Sequence, residues 1–149
     1  MTVEVMPARP EHIGPIVKSM GANDLASAAA AGIEPNAAVR ILLSASSYCR
    51  VAAVSGYPIA MWGVVGPLCA DRGEVWLVAT DAMRRLPFTM TRIALAELRA
   101  MLETKTALTA ALVDCDARAI RFMRFVGFAG HSLIESDGRV LPRGVLRRN

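Results

Sequence analysis

"GEVWLVAT" (73–80), then "DAMRR" (81–85), then "LPFTMTRIALAELRAMLET" (86–104): this run decides the fold. Its first part reads as a strand. Its last part is the longest helical pattern in the chain. Thr91, Leu95, Leu98 and Leu102 recur at helical spacing as an apolar stripe, and Arg92, Arg99 and Glu103 share the opposite face. Pro87 suits a first helical turn, where its missing N–H costs nothing. A strand that feeds a long helix through a short turn is the start of a crossover unit.

The flanks extend that unit. Downstream, "ALTAALV" (107–113) is a strand, "DARAIRFMRFVGF" (116–128) a helix closed by Gly127, and "HSLIE-SDGR-VLPRGVL" (131–146) a hairpin turning at Asp137-Gly138. Upstream, "YCRVAAV" (48–54) and "PIAMWGVVG" (58–66) flank "SGY" as a second hairpin. Before it lie "IEPNAAVRILLSAS" (33–46), with Pro35 at a helix start and Val39, Leu42 and Leu43 inward, and "NDLASAAAAG" (23–32), ended by Gly32. "ARPEHIGPIVKSM" (8–20) places Ile13, Ile16, Val17 and Met20 at helical spacing, and "TVEVM" (2–6) alternates as a short strand. The order β-αα-β-β-β-α-β-α-β(β) predicts one α/β domain over residues 1–149, a mixed central sheet with helices on both faces, ending in a short basic tail.

Composition narrows the class. Apolar residues make up 54 % of 149, which excludes a disordered chain. No apolar run reaches the ~18 residues of a membrane span, and "MTVEVMPARPEH" does not read as a secretory leader. Cys49, Cys69 and Cys115 are widely spaced, without a CxxC, and are expected as reduced core or semi-core residues. His12 and His131 lie far from any cysteine in sequence, so no metal site is expected. Of seventeen basic residues only Lys18 and Lys105 are lysine, and the net charge is +4. That is too little to argue for nucleic acid as a specific ligand.

The last helix, with Asp116, Ala119, Phe122, Gly127 and Phe128 on the pattern N-x-x-A-x-x-F-Y-x-x-x-G-F, resembles that of the GNAT N-acetyltransferases. A fuller resemblance spans residues 28–128. "AAAAGIEPNAAV", "VAAVSGYPIAMWGVVG", "VWLVATDAM" and "DARAIRFMRFVGF", in this order, are similar to the acetyltransferase-like internal virion proteins of short-tailed bacteriophages. The first resemblance implies a GNAT-like architecture. The second implies a particle-assembly role, with portal, tail or internal core proteins as partners, a possible homo-oligomer, and residence in the virion after assembly in the host cytoplasm.

The resemblance also says where chemistry would sit. In such proteins the cofactor's pantetheine pairs with a strand edge where the sheet splays, and its pyrophosphate rests on N–H groups at the long helix's start. The pattern there, Q/R-x-x-G-x-G/A, becomes Arg84-x-x-Pro87-x-Thr89. Arg84 fits. Pro87 removes one N–H donor, Thr89 adds a branched side chain, and Phe88 is expected to bring bulk inward. A missing charge-assisted hydrogen bond to phosphate weakens binding by roughly 1.5–3 kcal/mol. The tyrosine that can protonate a leaving thiolate is Met123, which has no proton to give. Asp116, where asparagine is usual, would repel an anion. Glu74 is the single candidate for a general base on its strand, expected as a solvated edge residue if it is not one. Asp81 is expected as a cap or turn residue. Cys115 would be a nucleophile only with a histidine that is not near it in sequence.

These departures point to a protein without a working acetyltransferase site and without a cofactor. Its interface candidates are Phe125, framed by Arg118, Arg121 and Arg124, and the tail residues Leu146, Arg147 and Arg148. Phe125 is open to two outcomes, a partner contact or burial under the tail. The alternative function is an active acetyl-coenzyme A-dependent N-acetyltransferase acting on a protein or small amine, with Arg84 and Thr89 on the pyrophosphate and residues 76–80 on the pantetheine. A third is an inhibitor of a host factor using the same arginine face.

Overall fold

The computed structural model describes residues 2–111, 117–134 and 140–148. Seven strands form one sheet in the order β1-β2-β3-β4-β5-β7-β6. They are β1 (Val3–Pro7), β2 (Ser46–Val54), β3 (Tyr57–Val65), β4 (Arg72–Ala79), β5 (Ala107–Ala111), β6 (Ala129–Ile134) and β7 (Val140–Arg147). Every neighbouring pair is antiparallel except β4 and β5, which run parallel through Arg72–Val75 and Ala107–Ala110.

Three helices separate β1 from β2, one more than the predicted order counts: α1 (Ile13–Lys18), α2 (Ala22–Ala30) and α3 (Pro35–Ala45). α3 starts where expected. Pro35 fills its first turn, and the Glu34 carboxylate accepts from the N–H groups of Asn36 and Ala37, both at 3.2 Å. Ser55 and Gly56, with φ of 51° and 79°, make the β2–β3 turn. Two successive positive φ values match the twist of a two-residue hairpin.

The long helix, α4 (Pro87–Leu102), and the last, α5 (Ala117–Phe125), cover one face of the sheet over Ala60, Trp62, Val64, Leu108 and Ala110. α1 and α3 cover the other over Val51, Met61, Trp76 and Val78. The mixed sheet with helices on both faces is therefore as predicted.

The carboxyl end differs. The expected hairpin forms as β6 and β7, but the tail residues do not hang free: β7 runs between β5 and β6, pairing Leu146 with Leu108 and Arg147 with Ala107. Leu146 is half-buried and packs against the α4–α5 core. Arg148 is tied down as well, its N–H donating to Thr106 O at 2.9 Å and its guanidinium reaching Leu102 O and Glu103 O at 3.4 Å. Cys69 lies exposed, outside any core, while Cys49 is half-buried. Cys115, Asp116 and the Asp137-Gly138 turn lie outside the described residues. No helix among the described residues is long and apolar enough to cross a membrane.

Lys105 fixes the lower end of the β4–β5 junction. It is 2 % exposed, and its Nζ donates to Pro67 O and Ala70 O, each at 2.7 Å. A buried ammonium is tolerated because carbonyls replace its water. The Thr106 N–H adds a 2.7 Å bond to Asp71 O. The loop before β4 is thus stitched to the start of β5, and the two strands part only higher up.

Candidate functional site

β4 is the central strand of seven, yet Leu77 is 44 % exposed. The reason lies in the strand's main chain. Thr80 donates to Ile59 O on β3 at 3.0 Å, so in the antiparallel ladder Val78 and Trp76 also turn toward β3. Leu77 and Ala79 turn the other way, toward β5. At Ala79 that side is occupied by α2 and its approach: Gly21 N–H donates to Ala79 O, and Ala79 N–H donates to the Asp24 carboxylate, both at 3.0 Å. A strand edge bonded to a helix start is not bonded to a neighbouring strand, so the sheet is open here.

The opening leads into a cleft of about 550 Å3. β4 supplies Leu77, α4 supplies Met90, Ile93 and Met101, and α5 supplies Phe122 and Met123. Arg84 stands at its mouth together with Pro87. Burial pushes the Asp24 carboxyl above its usual range, against the opposing pull of the Ala79 N–H and the Arg84 charge.

One carboxylate inside the cleft escaped the sequence reading. Glu97 accepts from Tyr48 Oη and, at 3.3 Å, from Trp62 Nε1, and Arg50 Nε lies 3.9 Å away. At that distance the arginine makes an ion pair without a hydrogen bond, and its buried Nε has no hydrogen-bond acceptor. Glu97 was missed because the expected stripe left it out. Leu98 is buried, Leu95 and Leu102 pack half-buried against the same core and Thr91 lines the cleft, but Met90, Ile93, Ala94, Glu97 and Met101 line it as well. A glutamate within an apolar i, i+3, i+4, i+7 set was the available signal.

Glu74 is displaced as a candidate base. It pairs with Val65 on β3 and Thr109 on β5, so it sits inside the sheet and not at an edge. It is half-buried, and by alternation it shares the face of Trp76 and Val78, away from the α4–α5 cleft.

The helix start is as degenerate as its sequence, with one correction. Phe88 points out, not in, at 86 % exposure. Pro87 is the first residue of α4, and Leu86 precedes it without a side-chain cap. Met90 N–H is already bonded to Leu86 O, and Thr91 Oγ1 donates to Pro87 O at 2.7 Å. A diphosphate at this tip would meet the N–H groups of Phe88 and Thr89 and none from Pro87. Thr89 is half-buried beside the cleft, and Asp81 opens the short 3-10 turn capped by Thr80.

α5 divides into an inward and an outward side where side chains are described. Phe122 and Met123 line the cleft and Val126 is buried, while Arg121 and Arg124 are exposed. Phe125 is 70 % exposed, so the tail does not cover it. Arg147 is exposed, on the strand beside β5. Arg118 lies on α5.

Two groups on β2 make the fold sensitive to alkali. Burial, with Glu97 as its hydrogen-bond partner, pushes Tyr48 from 10.0 up to about 12. Burial alone pushes the Cys49 thiol from 9.0 to about 12. Both raised values favour the neutral form in the fold. The unfolded chain therefore loses these protons first, and the stability they contribute, complete below pH 9, drains away as the pH rises to 12. Thermal midpoints measured across that window should fall steadily, and Cys49→Ala should remove the earliest part of the fall.

No family profile and no curated protein sequence matches this chain. Solved structures do. The GNAT domain of S. lividans PAT superposes with a TM-score of 0.75 at 15% identity, covering 99% of this chain and 92% of that one. Ard1 from Thermoplasma volcanium gives 0.72 at 14%, covering 99% and 98%. Aminoglycoside acetyltransferase AAC(6')-Ib in complex with coenzyme A gives 0.70 at 14%, covering 99% and 95%. At such identities the likeness is one of fold: the chain has the GNAT N-acetyltransferase fold.

Proposed function

We propose that this GNAT-fold protein does not catalyse acetyl transfer and serves as a structural or assembly component of a short-tailed phage particle, bound to portal, tail or internal core proteins. One observation carries the non-catalytic part. The two places where the fold would grip an acyl-coenzyme A are compromised: the Ala79 main chain is already bonded to Gly21 and Asp24, and α4 begins with Pro87. Coenzyme A does not fit this arrangement. The particle role is supported by the four ordered sequence segments between residues 28 and 128. Exposed Phe125 beside Arg121 and Arg124 offers a surface of the composition that protein partners use.

Quantitative mass spectrometry of purified virions tests the particle role. A fixed number of copies per particle is expected, and absence from particles overturns it. Titration with acetyl-coenzyme A tests the other part, with affinity expected no tighter than millimolar.

A second reading is favoured by Glu97, a carboxylate held inside the cleft. An active N-acetyltransferase would use it, and not Glu74, to take the proton of an acceptor amine. Micromolar binding of acetyl-coenzyme A would support that reading.

A further inference from the structure

We infer that the chain carries its own plug for the opening between β4 and β5: the segment Gly21–Asp24 stands where the amide of a pantetheine arm would pair. An amide presents one N–H and one C=O to a strand edge. The plug presents the same pair of functions from two residues. Gly21 gives the N–H to Ala79 O, and Asp24 gives the acceptor to Ala79 N–H, each at 3.0 Å. Met20, bridged to Thr80, sets the segment alongside the strand's end.

The surroundings argue that this is a fitted contact. Gly21 is buried, and a Cβ there would meet Ala79 O at 3.5 Å, which is ordinary contact. Asp24 is desolvated, and desolvating a carboxylate is unfavourable unless bonds offset it. The Ala79 N–H and the nearby Arg84 charge are those partners. A single side chain thus occupies the strand edge where the ligand amide would pair.

The inference rests on the reading of this opening as lacking a working cofactor site, and it is independent of the particle role. The test uses coenzyme A as probe, titrated calorimetrically into the full chain and its variants. Asp24→Ala removes the acceptor. Asp24→Asn keeps an oxygen for Ala79 N–H and removes the charge. All are made also in a Pro87→Gly background, so that a weak diphosphate grip does not hide the effect. Asp24→Ala is expected to bind coenzyme A at least tenfold tighter than its parent, and its Ala79 amide to exchange with solvent at least tenfold faster. Asp24→Asn should stay close to its parent in both.

Equal affinities for Asp24→Ala and parent in the Pro87→Gly background would overturn the plug, as would binding by neither. An Asp24→Asn variant that opens as fully as Asp24→Ala would overturn it too, since repulsion and not pairing would then exclude the ligand. Micromolar binding by the unaltered protein would sink both this inference and the non-catalytic reading. Failure of the variants alone would sink only the plug.

Discussion

Gly63→Ala is expected to lower the thermal midpoint by roughly 5–10 °C, while Gly14→Ala, the same change of one methyl, leaves it within about 2 °C of its parent. Gly63 lies in β3 between Cys49 of β2 and Trp76 of β4. A Cβ there would stand 2.6 Å from Tyr48 O and 2.9 Å from Trp76 Nε1. Neither neighbour can yield cheaply. The carbonyl belongs to β2 beside a register shift between Ser46 and Tyr48, and the indole is fastened by a 2.7 Å hydrogen bond to Ser46 Oγ. Overpacking of this kind costs about 2–4 kcal/mol. Gly14, in contrast, is exposed in α1, and an added Cβ meets nothing within 4 Å. There alanine's better helix propensity is offset by the crowding its Cβ meets before Pro15, so the net change stays within about 0.5 kcal/mol. Differential scanning calorimetry on both variants separates the cases. A Gly63→Ala protein as stable as its parent would show that Trp76 does not rest on bare main chain.

The two glycines look alike in sequence, and that marks where sequence reading ends. What lies within a few residues was legible. Pro35 after Glu34 announced α3, the Ser55-Gly56 turn announced the hairpin, and the strand–turn–helix run 73–104 announced the crossover. These signals are local: a cap, a positive φ, a change of period. The failures share an opposite character. The hairpin of 131–146 was read, but not that its second arm, β7, inserts between β5 and β6 by long-range pairing and carries Arg147, read as tail, into the sheet. Phe88 could have turned in or out, and the 3-10 turn before α4 sets its direction. The bonds from Gly21 and to Asp24 at Ala79 join residues 55 or more positions apart, with no trace in either segment. Of the candidate site, Arg84, Pro87 and Met123 line the cleft, Glu74, read as an edge residue, is paired on both sides within the sheet, and Glu97 was overlooked because the expected apolar stripe passed beside it.

Glu97 also supplies the largest expected loss. Glu97→Ala should destabilise the protein by about 3–5 kcal/mol, because it leaves two part-buried donors without an acceptor and removes the partner of Arg50. Tyr48 Oη and Trp62 Nε1 both donate to this carboxylate, and among the described residues Arg50 Nε has no hydrogen-bond acceptor. Without Glu97 the Arg50 side chain, itself 32 % exposed, would have no counter-charge among the described residues. Glu97→Gln keeps one oxygen for Tyr48 and should lose about 1–2 kcal/mol. Adding Tyr48→Phe to Glu97→Ala should recover part of the deficit, a coupling of roughly 0.5–3 kcal/mol as found for directly bonded pairs. Urea unfolding reads all three, and the midpoint should move while the slope stays constant. The same series weighs the two functional readings. A carboxylate whose work is to tie α4 to β2 and β3 makes Glu97→Gln a mild stability variant and nothing more. A carboxylate that accepts a proton from an amine makes Glu97→Gln nearly normal in stability and silent in acetyl transfer. Loss of turnover at preserved stability would place Glu97 in an active enzyme, and a protein that never turned over leaves it as the polar tie beneath the long helix.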